Sequence, residues 1–268
     1  MTDRFNDERD WFFGARLGLF LHWGIYSVDA WQEQDHYIRN RTRADYERLA
    51  RRFNPTRFEP NAWLDLAEQA GMRYLCFTTK HIDGFCMWDS DATDYKITRT
   101  PYGKDILALL ADACHRRNIP LCLYYSICDM HNPNYPHAGR PYEYPAPQSG
   151  DEPDLAKYTS YVKTQARELC ARYGKIHGFW WDANELKLTD PTIHEMIRAL
   201  QPGIVINNRG PGDGDFSTPE RDWYDFVNTE SSFQKPVEAC QALGSQSWGY
   251  RRDEAYYTDK HILRSMAN

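Results

Sequence analysis

The chain has 268 residues, 41% hydrophobic and 26% charged, with 16 Gly and 15 Pro. These values exclude a coiled coil, a collagen-like repeat and a disordered tail. The formal net charge of −6 argues against nucleic acid or an anionic membrane surface as a partner, and no run approaches the roughly 18 apolar residues of a membrane span. One closed α/β barrel of about 250 residues would fit the length, as would two small domains.

The first residues, Met1 to Glu8, show no basic stretch leading into an apolar core, so no secretion signal is visible. Seven Cys (76, 86, 114, 122, 128, 170 and 240) lie mostly in apolar or helical runs. They are expected to be buried free thiols of a cytoplasmic protein rather than a disulfide framework. The aromatic content of 15%, with 9 Trp and 18 Tyr, fits a Trp-rich core or a cleft that stacks rings on a flat ligand such as a sugar.

In chain order, Leu17 to Leu21 is the first expected strand. An amphipathic helix runs from Pro60 to Ala70, with Pro at its start and Gly71 beyond its end. Tyr74 to Thr79 is the second strand, Asp105 to Arg117 a helix, and Pro120 to Tyr125 the third strand. The Pro- and Tyr-rich stretch from Asp129 to Asp154 is too polar for core; a loop of that length is functional or disordered. Leu155 to Tyr173 is a helix, Ile176 to Trp181 the fourth strand, Thr189 to Leu200 a helix and Ile204 to Ile206 the fifth strand. Weaker strand candidates lie at Asp225 to Asn228 and Ser247 to Tyr250, before a closing helix from Tyr257 to Ala267.

Strand–helix alternation at this spacing implies a parallel sheet, doubly wound or closed as a barrel. No glycine-rich phosphate cradle follows the first strand. Polar groups follow each strand instead: His22, then Lys80-His81-Ile82-Asp83, then Tyr125-Ser126, Asp182 and Asn207-Asn208-Arg209. Barrel enzymes gather their chemistry from many strand ends, whereas doubly wound sheets concentrate it at one switch point. The pattern therefore favours a (β/α)8-like barrel.

Asp182 ends a run walled by Trp180 and Trp181, where burial can tune a carboxylate, though an Asp there can equally cap the next helix. A second carboxylate would complete a glycosidase pair. Glu220, Glu230 and Glu238 are the candidates, each open to the plainer role of a surface Glu. His22 and His81 could ligate a metal, donate a proton or bind hydroxyls. The absence of HxH, HExxH and CxxC spacing disfavours a metal, so no cofactor is expected. No GxSxG elbow supports a Ser-His-Asp hydrolase. Arg209 could pair with a carboxylate, a substrate oxygen or a structural partner.

These residues carry a resemblance. Gly18-Leu19-Phe20-Leu21-His22-Trp23-Gly24-Ile25-Tyr26-Ser27-Val28, Thr78-Thr79-Lys80-His81-Ile82-Asp83-Gly84-Phe85, Leu123-Tyr124-Tyr125-Ser126, Trp180-Trp181-Asp182, Asn207-Asn208-Arg209 and Ser247-Trp248-Gly249-Tyr250 resemble, in order, the α-L-fucosidases of glycoside hydrolase family 29. The resemblance spans nearly the whole chain. It implies a single catalytic barrel over residues 1–268 that cleaves terminal α-linked L-fucose with retention, and a fucosylated glycan or small fucoside as partner. Asp182 matches the family nucleophile. His22, His81, Tyr125, Trp180 and Arg209 match positions that line the fucose pocket. Glu220 is the best match for the acid/base, with Glu238 as the fallback.

Three departures accompany the match. The family's His pair appears as His81-Ile82, which replaces a donor with an alkyl wall. Its Glu-Trp-Tyr after the first strand appears as Asp35-His36-Tyr37, so Asp35 and His36 are expected at the sugar. Relatives also continue into a barrel-closing strand and a β-sandwich, so the barrel is expected to be incomplete at its C-terminal end. An open parallel edge then predicts a homo-oligomer. The rival expectation is a non-catalytic sugar-binding barrel, or an enzyme relic, of the same fold.

Overall fold

The computed structural model describes residues 4–220 and 236–267. The candidate strand Asp225 to Asn228 and Glu230 lie outside the described residues. In chain order the elements are α1 (Trp11–Ala15), β1 (Gly18–Leu21), α2 (Asp35–Ile38), α3 (Arg43–Ala50), α4 (Pro60–Gln69), β2 (Tyr74–Lys80) and α5 (Ile106–Arg116). There follow β3 (Leu121–Ser126), α6 (Leu155–Arg172), β4 (Gly178–Asp182), α7 (Pro191–Leu200), β5 (Val205–Ile206) and α8 (Asp259–Ala267).

The helices begin where acidic caps are available. Asp105 accepts from the Ala108 N–H, Asp154 from Lys157 and Asp190 from Thr192, while Glu59 and Pro60 start α4. Each cap satisfies a backbone donor that the first helical turn leaves open.

The five strands are all parallel and lie in the order β1-β2-β3-β4-β5. A doubly wound sheet reverses direction once; this one never does, so it is the wall of a barrel. Among the described residues, isolated parallel bridges continue the wall beyond β5, joining Asn207 to Phe216, Ser217 to Val237 and Glu220 to Cys240. Among the described residues the sheet is thus an incomplete barrel. Ser247–Tyr250, expected as a weak strand, is instead an irregular loop.

Alternation along the strands sorts the apolar residues. Tyr74, Cys76, Cys122, Tyr124, Trp180 and Val205 fill the barrel interior with Phe216 and Cys240. Leu75, Phe77, Leu123, Tyr125, Phe179 and Trp181 face outward into the layer formed with α5, α6 and α7. β2 and β3 are buried along their whole length, as expected of strands covered on both faces. All seven Cys are free and buried, so packing rather than pairing explains them.

One irregularity redirects the chain toward the site. The β2–β3 register slips between Thr78 and Lys80, where Thr78 pairs with Tyr124 but Lys80 with Tyr125. The extra residue moves Lys80 to the helix side and lets His81 turn to the barrel mouth. Lys80 Nζ then lies 3.0 Å from Asp129 Oδ2 and 4.3 Å from the Tyr125 ring centroid. Burial opposes the ammonium charge, but Asp129 outweighs it and holds the Lys80 pKa above its ordinary value. Among the described residues, no helix is long and apolar enough to cross a membrane.

Candidate active site

The carboxyl ends of β1 to β4 and the segment after β5 surround a cavity of about 350 Å³, within the usual range for small-molecule sites. β1 delivers Phe20 and His22, the bulged end of β2 delivers His81 and Ile82, β3 delivers Tyr124, and β4 delivers Trp180 and Asp182. Arg209 and Glu220 come from beyond β5, and Trp248 from the loop that follows.

The aromatic groups form one packed wall. Tyr124 stacks on His81 at 5.5 Å and on Trp180 at 5.6 Å, and His22 stacks on Trp248 at 5.8 Å. Buried Glu33 sets Trp248 in place. Its Oε2 accepts from the Trp248 N–H at 3.1 Å, the Gly249 N–H at 2.8 Å and the Ser247 hydroxyl at 3.0 Å.

The polar groups converge on one cation. Asp182 Oδ1 lies 2.9 Å from Arg209 Nη1, and the same nitrogen donates to Glu220 Oε1. Asp182 Oδ2 accepts from the Tyr124 hydroxyl at 2.8 Å. Arg209 is fixed by the Thr218 hydroxyl at 2.7 Å and packs 4.9 Å over the Trp180 ring. Burial works against its charge, but Asp182 and Glu220 prevail and raise the guanidinium pKa further. Two bonds of at most about 3 Å to one nitrogen place the nearest carboxylate oxygens within about 6 Å of each other. That ceiling lies below the roughly 6.5–9.5 Å of inverting glycosidases and admits the roughly 5–5.5 Å of retaining ones.

His81 is neutral at ordinary pH. Burial first, then the nearby His22, lower its pKa to about 4. A neutral ring has one donor and one acceptor nitrogen, and Nδ1 has no hydrogen-bond partner among the described residues. Beside it Ile82 is almost fully buried and presents the alkyl wall expected from the sequence.

Of the residues expected from the sequence, His22, His81, Trp180, Asp182, Arg209 and Glu220 meet at this cavity. Tyr125 does not. It points to the opposite face of β3, where its hydroxyl donates to Gln165 of α6 at 2.7 Å, and its neighbour Tyr124 takes the inward position. Asp35 and His36 are also displaced. The Asp35 carboxylate is buried against Arg41 and Arg39. His36 stacks on Tyr46 at 4.2 Å and hydrogen-bonds the Tyr144 hydroxyl at 2.5 Å. Both belong to the short helix α2, which turns them away, while Gln34 reaches the cavity in their place. Glu238 lies inside the barrel, behind the Trp180 indole, accepting from Trp180 Nε1 at 2.9 Å and the Tyr74 hydroxyl at 3.1 Å. Burial raises its pKa, opposed by those two bonds, and it is not among the lining residues.

Sequence patterns missed Tyr124, Glu33, Gln34, Tyr142 and Glu185. Among these only Tyr124 carried a signal, since it shares the two-residue alternation that must relate inward positions on one strand.

A family model described as Alpha-L-fucosidase matches residues 2–268. The tissue α-L-fucosidase of Rattus norvegicus is 33% identical over 280 residues, covering 92% of this chain and 57% of the relative. The chain therefore spans about half the length of the curated relatives it matches. Among solved structures, α-L-fucosidase isoenzyme 1 from Paenibacillus thiaminolyticus aligns at a TM-score of 0.87 with 34% identity, over 97% of this chain and 66% of that one. A trapped covalent intermediate of a family 29 α-L-fucosidase from Bacteroides thetaiotaomicron, in complex with 2-fluoro-fucosyl fluoride, aligns at 0.84 with 27% identity, over 98% and 67%. Sequence order, barrel wall and near end-to-end similarity agree, and the chain belongs to the α-L-fucosidases of glycoside hydrolase family 29.

Proposed function

We propose that the chain is the catalytic barrel of a retaining exo-glycosidase that hydrolyses terminal α-L-fucosides, with Asp182 as nucleophile and Glu220 as acid/base. The observation that carries this is the pair of carboxylates held on one nitrogen of Arg209. The Bacteroides relative, trapped as a covalent fucosyl intermediate, supports the same course.

In the first step an Asp182 oxygen attacks the anomeric carbon as the bond to the leaving oxygen breaks, and Glu220 gives that oxygen its proton. In the second, Glu220 takes a proton from water, the water oxygen attacks the same carbon, and Asp182 leaves. Two inversions give net retention. Arg209 and Tyr124 hold Asp182 from two sides, so its carboxylate meets the sugar already oriented. Neutral His81 suits a hydroxyl, which both gives and takes a hydrogen bond, and Trp180 and Trp248 offer ring faces to the sugar's apolar side. Self-association and a reducing, cytoplasmic setting belong to the same proposal; the second rests on seven buried free thiols.

Purified protein should cleave an aryl α-L-fucoside. Asp182→Gly should abolish this, and external azide should restore turnover with a fucosyl azide as product. Full activity in the variant without azide would overturn the assignment.

A further inference from the structure

Several residues at the cavity come from loops rather than strand ends and have no part in the chemistry above, Tyr142 and Glu185 among them. Tyr142 lies in the long segment between β3 and α6, and Glu185 in the loop after β4. We propose that Tyr142 and Glu185 form the site for the leaving group, and that it is shaped for a neutral, hydroxylated ring, a second sugar, rather than an anionic one. The proposal rests on the fucosidase reading of Asp182 and Glu220 and names what lies beyond the cleaved bond.

The first observation is backbone strain. Tyr142 is held at φ +64, a left-handed conformation that disfavours a bulky side chain by about 1–2 kcal/mol. Its surroundings impose that conformation. The Tyr142 carbonyl accepts from the Cys128 thiol at 2.8 Å. The next residue, Glu143, accepts from the Tyr135 hydroxyl at 2.7 Å, Arg140 Nε at 2.7 Å and the Ala138 N–H at 2.9 Å. The ring itself is half-buried and meets Tyr37 edge-on at 5.5 Å. A strained aromatic held by its backbone, with its ring left at a cavity, is placed for a ligand.

The second observation is Glu185. Glu185 lines the same cavity, and among the described residues no hydrogen bond or ion pair engages its carboxylate. The loop that carries it is nevertheless rigid. Ala183 turns the chain at φ +49, and the Asn184 side chain both accepts from the Leu188 N–H at 2.8 Å and donates to the Leu188 carbonyl at 3.1 Å. Cys128 ties the two loops together, because its N–H donates to the Ala183 carbonyl at 3.0 Å while its thiol holds Tyr142.

The chemistry selects the occupant. An aromatic face beside an unengaged carboxylate suits a ring with apolar C–H faces and donor hydroxyls at its edge. Burial, and then the charges of Asp182, Glu220 and Glu185, raise the Tyr142 phenol pKa, so it remains a donor. Asp182 and Glu220 share the single charge of Arg209, and Arg140 and Lys187 act on Glu185 only from a distance without pairing to it, so the cavity keeps an excess of negative charge that disfavours an anionic leaving group.

The test compares two substrates that share the fucosyl group. A neutral α-L-fucosyl disaccharide fills the proposed site, whereas α-L-fucosyl fluoride leaves it empty. For Tyr142→Ala and for the isosteric Glu185→Gln, the ratio of kcat/KM for the disaccharide to that for the fluoride should fall roughly tenfold or more. Wild type should also prefer the neutral disaccharide to one with a carboxylate on the second sugar, and Glu185→Gln should narrow that preference. An unchanged ratio in both variants, with wild type active, overturns the proposal while leaving the fucosidase reading standing. Failure of wild type to cleave either substrate overturns both. If Tyr142→Ala does not fold, Glu185→Gln alone decides.

Discussion

Asp83 follows the His81-Ile82 pair and is almost fully buried. Its Oδ1 accepts from the Phe85 N–H at 3.0 Å and its Oδ2 from the Tyr46 hydroxyl at 3.3 Å. Burial raises its pKa from 3.8 to about 7; the nearby Asp129 adds to this, and the two hydrogen bonds and Lys80 oppose it. The folded state therefore binds this proton more tightly than the unfolded chain does. Its contribution to stability is fully present below about pH 4 and is lost as pH rises through about 7. A shift of about three units is worth roughly 4 kcal/mol, of which roughly 2–3 kcal/mol is lost between pH 5 and 8. Asp83→Asn keeps an acceptor for Phe85 and removes the proton linkage. In urea unfolding at pH 5 and pH 8, the stability of Asp83→Asn relative to wild type should rise by about 2–3 kcal/mol at the higher pH. A difference that stays constant, or that favours wild type more at pH 8, would refute the buried, proton-binding carboxyl.

Glu220→Ala should slow fucosides with poor leaving groups far more than activated aryl fucosides, since only the former need a proton on the departing oxygen; if Glu238→Ala shows that pattern instead, the acid/base assignment moves to Glu238. Among the described residues β1 is paired on one side only, and an open strand edge favours a second chain. Light scattering is expected to give a dimer or larger species, and a stable monomer would refute self-association.

The sequence made the strand-end part of this site legible, and geometry explains why. A parallel barrel brings the residue after each strand to one mouth, so His22, His81, Asp182 and Arg209 could be picked out once the five strands were placed. Helix boundaries followed from caps whose effect is local, such as Asp154 on Lys157 and Pro191 at the start of α7. What lay beyond local pattern was the facing of side chains. Tyr124 and Tyr125 are chemically alike, so only the alternation along β3 distinguishes the inward one, and the slip at Lys80 that aims His81 is a property of the strand pair. Asp35 and His36 missed the cavity because Arg41, Tyr46 and Tyr144 draw them into α2's own packing. The long segment after β3 is ordered by contacts far apart in sequence, among them Arg43 with Asp151 at 2.6 Å and His36 with Tyr144.

This division has a functional consequence. The strand ends sit on a sheet fixed by ladder hydrogen bonds, and they carry the group that would attack and those that would hold the cleaved sugar, while Glu220, beyond β5, is tied to them through Arg209. Tyr142 and Glu185 stand on loops whose shape depends on a few contacts, chief among them Cys128 and Asn184. Substitutions at those contacts would move the two side chains without disturbing the carboxylate pair on Arg209. In this barrel the proposed bond cleavage and the proposed acceptance of the leaving group therefore depend on different layers of structure, and the second could change while the first is kept.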